Sequence, residues 1–107
     1  MHFKLKNIEL DVFLGVPEDE RKNKQTVLVS VFFEFDSSKA ELSDEIADSV
    51  DYFEIYQVVK SFEGKEFKLI EKLHREIYDK IETNFEVKNL ELQLEKRPFD
   101  DARILVK

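Results

Sequence analysis

The chain has no cysteine, only two histidines, and a total of four glycines and prolines. The missing cysteine removes disulfides, thiolate zinc sites, iron–sulfur clusters and cysteine nucleophiles together. With two histidines, a metal site built from His and Cys alone is nearly excluded, and no metal site is expected. So little glycine and proline argues against a low-complexity or disordered chain. Positive charge is in deficit: 17 Lys and Arg against 24 Asp and Glu give a net charge of −7. Nucleic-acid binding needs a cationic face, so it is not expected. The longest apolar stretch, Val27–Phe33, is interrupted by Ser30, far too short to span a bilayer. Met1-His2-Phe3-Lys4-Leu5-Lys6 has no apolar core of a signal peptide. The expectation is a soluble cytoplasmic protein with no membrane partner.

What is present suits one folded domain over residues 1–107. Hydrophobic residues make up 42% and aromatics 12%. A domain of this size buries roughly 60–70% of the surface its unfolded chain exposes. No internal repeat or linker is visible. From Phe3 to Leu14 apolar residues alternate, but the parity changes at Asn7. Phe3 and Leu5 fall on one phase, and Ile8, Leu10, Val12 and Leu14 on the other. One extra residue restores a common face, which predicts a bulge near Asn7. Gly15-Val16-Pro17 and the charged run Glu18–Lys24 read as a loop. Gln25–Phe35 is the clearest strand, with Val27, Val29, Val31, Phe33 and Phe35 on one face and Leu28, Ser30, Phe32 and Glu34 on the other.

Ser43-Asp44-Glu45 reads as a turn or helical stub. Asp51 is placed to cap a helix, with Glu54 in the capping-box position. Tyr52, Ile55, Tyr56, Val59 and Phe62 follow at helical spacing, and Gly64 suits the helix end. A second helix is expected from about Lys68 to Thr83, with Leu69, Ile70, Leu73, Ile77 and Ile81 as its stripe. Val87–Glu95 alternates again, with Leu90, Leu92 and Leu94 on one face. Pro98 and Asp100-Asp101 mark a loop, and Arg103–Val106 a last strand. The predicted order is β-β-α-α-β-β: an α+β sandwich of a four-stranded antiparallel sheet with two helices on one face. The uncovered face, half polar but carrying Leu28 and Phe32, suits a subunit contact, with the sheets closing into a ring.

Four stretches, in this order and spacing, resemble the dihydroneopterin aldolase family from about Phe3 to Val106. They are Gly15-Val16-Pro17-Glu18-Asp19-Glu20-Arg21 with Gln25 beyond, Ser43-Asp44 with Asp48-Ser49-Val50-Asp51-Tyr52, Leu69-Ile70-Glu71-Lys72-Leu73, and Lys96 with Pro98. The resemblance implies the tunnelling fold, assembled as two tetrameric rings in a homo-octamer with sites at subunit contacts. It also implies a metal-free, cofactor-free retro-aldol reaction. Dihydroneopterin loses its two terminal carbons as glycolaldehyde and leaves 6-hydroxymethyl-dihydropterin for folate synthesis. Epimerisation of the side-chain hydroxyl accompanies it.

On that resemblance, Glu71 with Leu69 and Ile70 corresponds to the pterin-binding segment. A pterin presents an amino group and an adjacent ring N–H as near-parallel donors, and one carboxylate accepts both. Taken alone, Glu71 is an ordinary exposed helix glutamate favoured by the helix dipole. Lys96 corresponds to the catalytic lysine, which relays a proton or acts as a cation on developing negative charge. Only about one free lysine in 2,500 is neutral at pH 7, and the sequence leaves both roles open. Taken alone, Lys96 is a solvated strand end. Tyr52 corresponds to the acid that protonates the carbon left after cleavage. A phenol carries its proton at pH 7, but on its helix Tyr52 also fits a core stripe. Glu20 corresponds to a glutamate that meets substrate hydroxyls or a catalytic water, and otherwise is one charge in a solvated loop. His2 and His74 attract no role.

The resemblance extends to a sister group, the dihydroneopterin triphosphate epimerases. Phe13-Leu14-Gly15-Val16 is worded more like that group, and the same four residues serve both chemistries. A triphosphate needs cations, which Arg21, Lys22, Lys24, Arg97 and Arg103 offer, although a net charge of −7 leans the other way. Arg97 and Phe99-Asp100-Asp101 depart from the family's usual wording after the lysine, which bears on the substrate pocket. A third reading is a ring protein that binds pterin without turning it over.

Overall fold

Two long alternating segments pair first and set the frame. In the computed structural model, which describes Met1–Lys107, strand β1 spans His2–Leu14 and β2 spans Lys24–Glu34. They run antiparallel, with Phe3 opposite Phe33 and Leu10 opposite Val27. The register shifts between Leu5 and Ile8, as the change of parity predicts. Asn7 takes the left-handed conformation (φ 60°), and its freed backbone N–H donates to the Ser30 hydroxyl at 3.0 Å. That bond explains why a serine is buried in mid-strand.

The loop expected after Gly15 contains a single helical turn, α1 (Glu18–Arg21). After β2 come α2 (Ser38–Ser43) and a short 3-10 turn at Ile46–Asp48. Helix α3 (Tyr52–Lys60) starts where expected: the Asp51 carboxylate accepts the Phe53 N–H at 3.0 Å. Helix α4 spans Ile70–Asn84, and strands β4 (Lys88–Lys96) and β5 (Ile104–Val106) complete the chain.

The sheet has five strands rather than the four predicted, and it is not wholly antiparallel. Strand β3 is the two-residue segment Glu66–Phe67, lying parallel to the end of β1. The sheet order is β3-β1-β2-β4-β5. Two residues are too few to show alternation. This strand is fixed by backbone bonds on either side: Gly64 N–H to Asp11 O at 2.8 Å, Phe13 N–H to Lys65 O at 2.9 Å and Gly15 N–H to Phe67 O at 3.1 Å. Gly64 allows the turn that brings it there, at φ 78°.

Helices α3 and α4 cover one sheet face, as expected. Ile55 and Val59 from α3, and Leu73, Ile77 and Ile81 from α4, share one core with Leu10, Val12, Val27, Val29, Val31, Leu92 and Leu94. Burying each such side chain contributes about 1.5–3 kcal/mol. Leu28 and Phe32, on the helix-free face, remain half-exposed. The molecule is a slab of 53 × 25 × 17 Å with a radius of gyration of 15.5 Å, against about 13 Å for a compact domain of this length. No helix is long and apolar enough to cross a membrane.

Candidate functional site

The row Leu90, Leu92, Leu94 on β4 faces the core, and Lys96 is the next residue on that same face. Its side chain is therefore carried inward, and the residue is only 9% exposed. An ammonium so placed costs free energy unless paired. The partner comes from α1: the Lys96 Nζ donates to Glu20 Oε2 at 2.9 Å. The two lie far apart in sequence, and only the fold joins them.

The Glu20 side chain lies over the backbone of Gly15. Gly15 has φ 152°, and a Cβ there would sit 2.1 Å from Glu20 Oε1. The carboxylate occupies the space a side chain would fill, and the positive φ is what favours glycine at this position. The Gln25 amide donates to Leu14 O at 2.5 Å and fixes the strand end before this loop.

Glu71 reaches the same end of the molecule by a different route. Phe67 on β3 pairs with Leu14 on β1, and α4 begins three residues later at Ile70. Glu71 is exposed in the first turn of α4, where helix geometry leaves backbone N–H groups free. Leu69 is 48% exposed beside it, and Ile70 is partly buried against the core. Leu69, Ile70, Glu71, Glu20 and Lys96 thus belong to one end of the sheet.

Tyr52 belongs to the other end. Its ring lies 6.4 Å from that of Phe3, and Phe3 pairs with Phe33. Lys96 follows Glu95, which pairs with Leu28. From the Leu28 level to the Phe33 level and one residue beyond, at about 3.3 Å per residue, is roughly 20 Å. Tyr52 is not the core residue its helical stripe allows, since it is 59% exposed while Ile55 and Val59 are fully buried. A cleft of about 800 Å³ lies at its end of the molecule, lined by Phe35, Val50, Asp51, Glu54, Phe85 and Val87. Neither Glu20 nor Lys96 lines it.

Of the cations offered by the sequence for phosphate, Arg21 is turned inward, while Lys22 and Arg97 make exposed ion pairs. Arg21 donates to the carbonyls of Gly15 and Val16 and to Glu66. Lys22 pairs with Asp19 at 3.5 Å, and Arg97 with Glu95 at 3.6 Å. The role of Arg21 was not visible in the sequence. A charged run offers no signal that one arginine turns inward, and the only hint was its place beside Glu20. His74, half-buried, donates from Nε2 to Leu92 O at 2.7 Å, a bond that ties α4 to β4.

The family described as "FolB: Dihydroneopterin aldolase" matches residues 3–104. The dihydroneopterin triphosphate 2'-epimerase of Escherichia coli K12 is 28% identical over 94 residues, 87% of this chain and 78% of that protein. The dihydroneopterin aldolase of Haemophilus influenzae is 30% identical over 91 residues, 82% and 77% of the two chains. The crystal structure of E. coli dihydroneopterin aldolase in complex with neopterin superposes with a TM-score of 0.91 at 22% identity, covering 99% of this chain and 96% of that one; the likeness shows the fold. The matched span takes in Glu20, Tyr52, Glu71 and Lys96, and runs through every core strand and both long helices. The chain belongs to the dihydroneopterin aldolase family.

Proposed function

We propose that this chain cleaves 7,8-dihydroneopterin by a metal-free retro-aldol reaction to 6-hydroxymethyl-7,8-dihydropterin and glycolaldehyde. The observation that carries the reading is the inward Lys96, paired with Glu20 at 2.9 Å, at the sheet end where α4 presents Glu71. Glu71 accepts the pterin amino group and ring N–H together, which fixes the ring's direction. The trihydroxypropyl side chain then runs toward Lys96 and Glu20. With Glu20 as its partner, the Lys96 amine relays the proton lost from the side-chain hydroxyl. As the carbonyl forms, the adjacent carbon–carbon bond breaks and its electron pair stays with the pterin. Tyr52 protonates the carbon so exposed. Reversing the addition on the other face of the aldehyde gives the epimer, so epimerisation accompanies cleavage.

The roughly 20 Å between Tyr52 and Lys96 within one chain supports a site shared by two copies. One copy supplies Glu20, Glu71 and Lys96, and its neighbour supplies Tyr52 with the cleft beside it. The slab shape, the half-apolar free sheet face and the exposed Ile104 and Leu105 on edge strand β5 favour a closed assembly of this kind. The family arrangement is an octamer of two tetrameric rings, in the cytoplasm.

A second reading, 2'-epimerisation of dihydroneopterin triphosphate, is favoured by the likeness to the E. coli epimerase. Against it, Arg21 is committed to Gly15, Val16 and Glu66, and the net charge of −7 disfavours a polyanion. Incubation with each compound separates the readings. Glycolaldehyde release from dihydroneopterin supports the aldolase. Epimer formed from the triphosphate without cleavage supports the sister activity. Tight pterin binding with neither product supports a binding protein.

A further inference from the structure

Arg21 closes α1, directly after Glu20, and its side chain is 14% exposed. Its guanidinium makes three directed bonds. Nη1 donates to Gly15 O at 3.0 Å and to Val16 O at 2.7 Å, and Nε donates to Glu66 Oε2 at 3.1 Å. The first two fold the 15–21 loop back upon itself. The third fastens that loop to β3, the strand that leads into α4 and Glu71. Within the loop, the Glu20 carboxylate rests on Gly15, the residue whose carbonyl Arg21 grips. Gly15 N–H also donates to Phe67 O at 3.1 Å, so backbone and side chain tie the same two segments.

We propose that Arg21 is a positioning residue. It clamps the loop bearing Glu20 to the strand preceding Glu71, and so sets the Glu20–Lys96 pair at a fixed distance from the pterin anchor. The inference rests on the function proposed above, and it assigns Arg21 to the support of the site rather than to a substrate phosphate. A planar fork is needed to reach two carbonyls and a carboxylate at once; lysine offers only a point charge.

The test uses the intact chain with dihydroneopterin as substrate. Arg21→Met keeps the length of the side chain and removes its donors. Loss of a positioning contact lowers kcat on the order of tenfold to a hundredfold, with KM held within about threefold because Glu71 still binds the ring. Arg21→Lys does not restore kcat. Glu66→Ala frees only the β3 side and gives a smaller loss of the same kind, while Glu66→Gln, which keeps an acceptor oxygen, retains most of the rate. Arg75→Ala, which breaks an exposed ion pair with Asp79 on α4, leaves kcat unchanged. The decisive readout is a double-mutant cycle. In a Glu20→Gln background, Arg21→Met costs less than about twofold in kcat, because the group it positions is already disabled.

An equal loss from Arg21→Met in both backgrounds would show that Arg21 supports the fold in general, and would overturn the proposal. So would a near-normal kcat for Arg21→Met in a protein that Lys96→Ala silences, a result that leaves the aldolase reading standing. Full turnover in Lys96→Ala would remove the aldolase site and the clamp with it.

Discussion

The two ends of the sheet are built from different materials. At one end, Glu20, Arg21, Glu66 and Lys96 form directed polar contacts around Gly15, and the distances run from 2.7 to 3.1 Å. At the other, Phe3, Phe33, Phe35 and Tyr52 meet ring against ring, with centroids 5.1 to 6.4 Å apart. Directed bonds of this length fix the relative positions of the groups they join, as the proposed proton transfer requires. Aromatic packing is less directional, and here it buries Phe33 and Phe35 while Tyr52 stays 59% exposed at its rim. The contrast suits the arrangement proposed above, in which each end supplies half of a site shared by two copies.

Lys96→Ala breaks the polar end most severely. Turnover should fall by at least about a hundredfold, the usual worth of a positioned proton-transfer group, while the assembly stays intact by size-exclusion chromatography. Glu71→Ala should weaken pterin affinity by roughly ten- to a hundredfold, because it removes charge-assisted hydrogen bonds worth about 1.5–3 kcal/mol. Equilibrium titration with a pterin checks it, and unchanged affinity would move the anchor elsewhere. Tyr52→Phe should slow cleavage about tenfold or more and leave stability within about 0.5 kcal/mol, since the residue is largely exposed. Mixing Tyr52→Phe chains with Lys96→Ala chains under conditions that exchange subunits should restore part of the activity, as some sites then receive both intact halves. No recovery would place all the chemistry within one chain.

The smallest effect concerns Asp36, just past the aromatic end. The Ser38 hydroxyl and backbone N–H donate to Oδ1 at 2.7 and 3.0 Å, and these bonds hold the Asp36 carboxyl below its ordinary value. A lowered folded-state value stabilises the fold above the ordinary carboxylate range, and the contribution is lost as pH falls through the lowered value. The Tm difference between the natural chain and Asp36→Ala should therefore be full at neutral pH and shrink below about pH 4. A difference that grows on acidification would contradict this.

The strands and long helices were legible because burial repeats along them. The parity change at Asn7 announced the bulge, the valine row of β2 announced the central strand, and Asp51 announced the start of α3. Strand β3 was hidden, because Glu66–Phe67 is held by backbone bonds to β1 and carries no pattern of its own. The four family positions could be matched from sequence wording, but their grouping could not. Glu20 meets Lys96 only after the sheet forms, and Arg21 looks like any charge in Glu18–Lys24 until Gly15, Val16 and Glu66 surround it. Tyr52 fits a core stripe equally well on paper, but it is the first residue of α3 and is 59% exposed, while Ile55 and Val59 further along the helix are buried.

A structure of the assembled protein with a pterin bound tests the central claim most directly. The account predicts the pterin's amino group and ring N–H on the Glu71 carboxylate, its side chain directed at Lys96 and Glu20, and Tyr52 of a neighbouring copy at the far wall. A pterin bound away from Glu71, or with its side chain pointing away from Lys96, would contradict it.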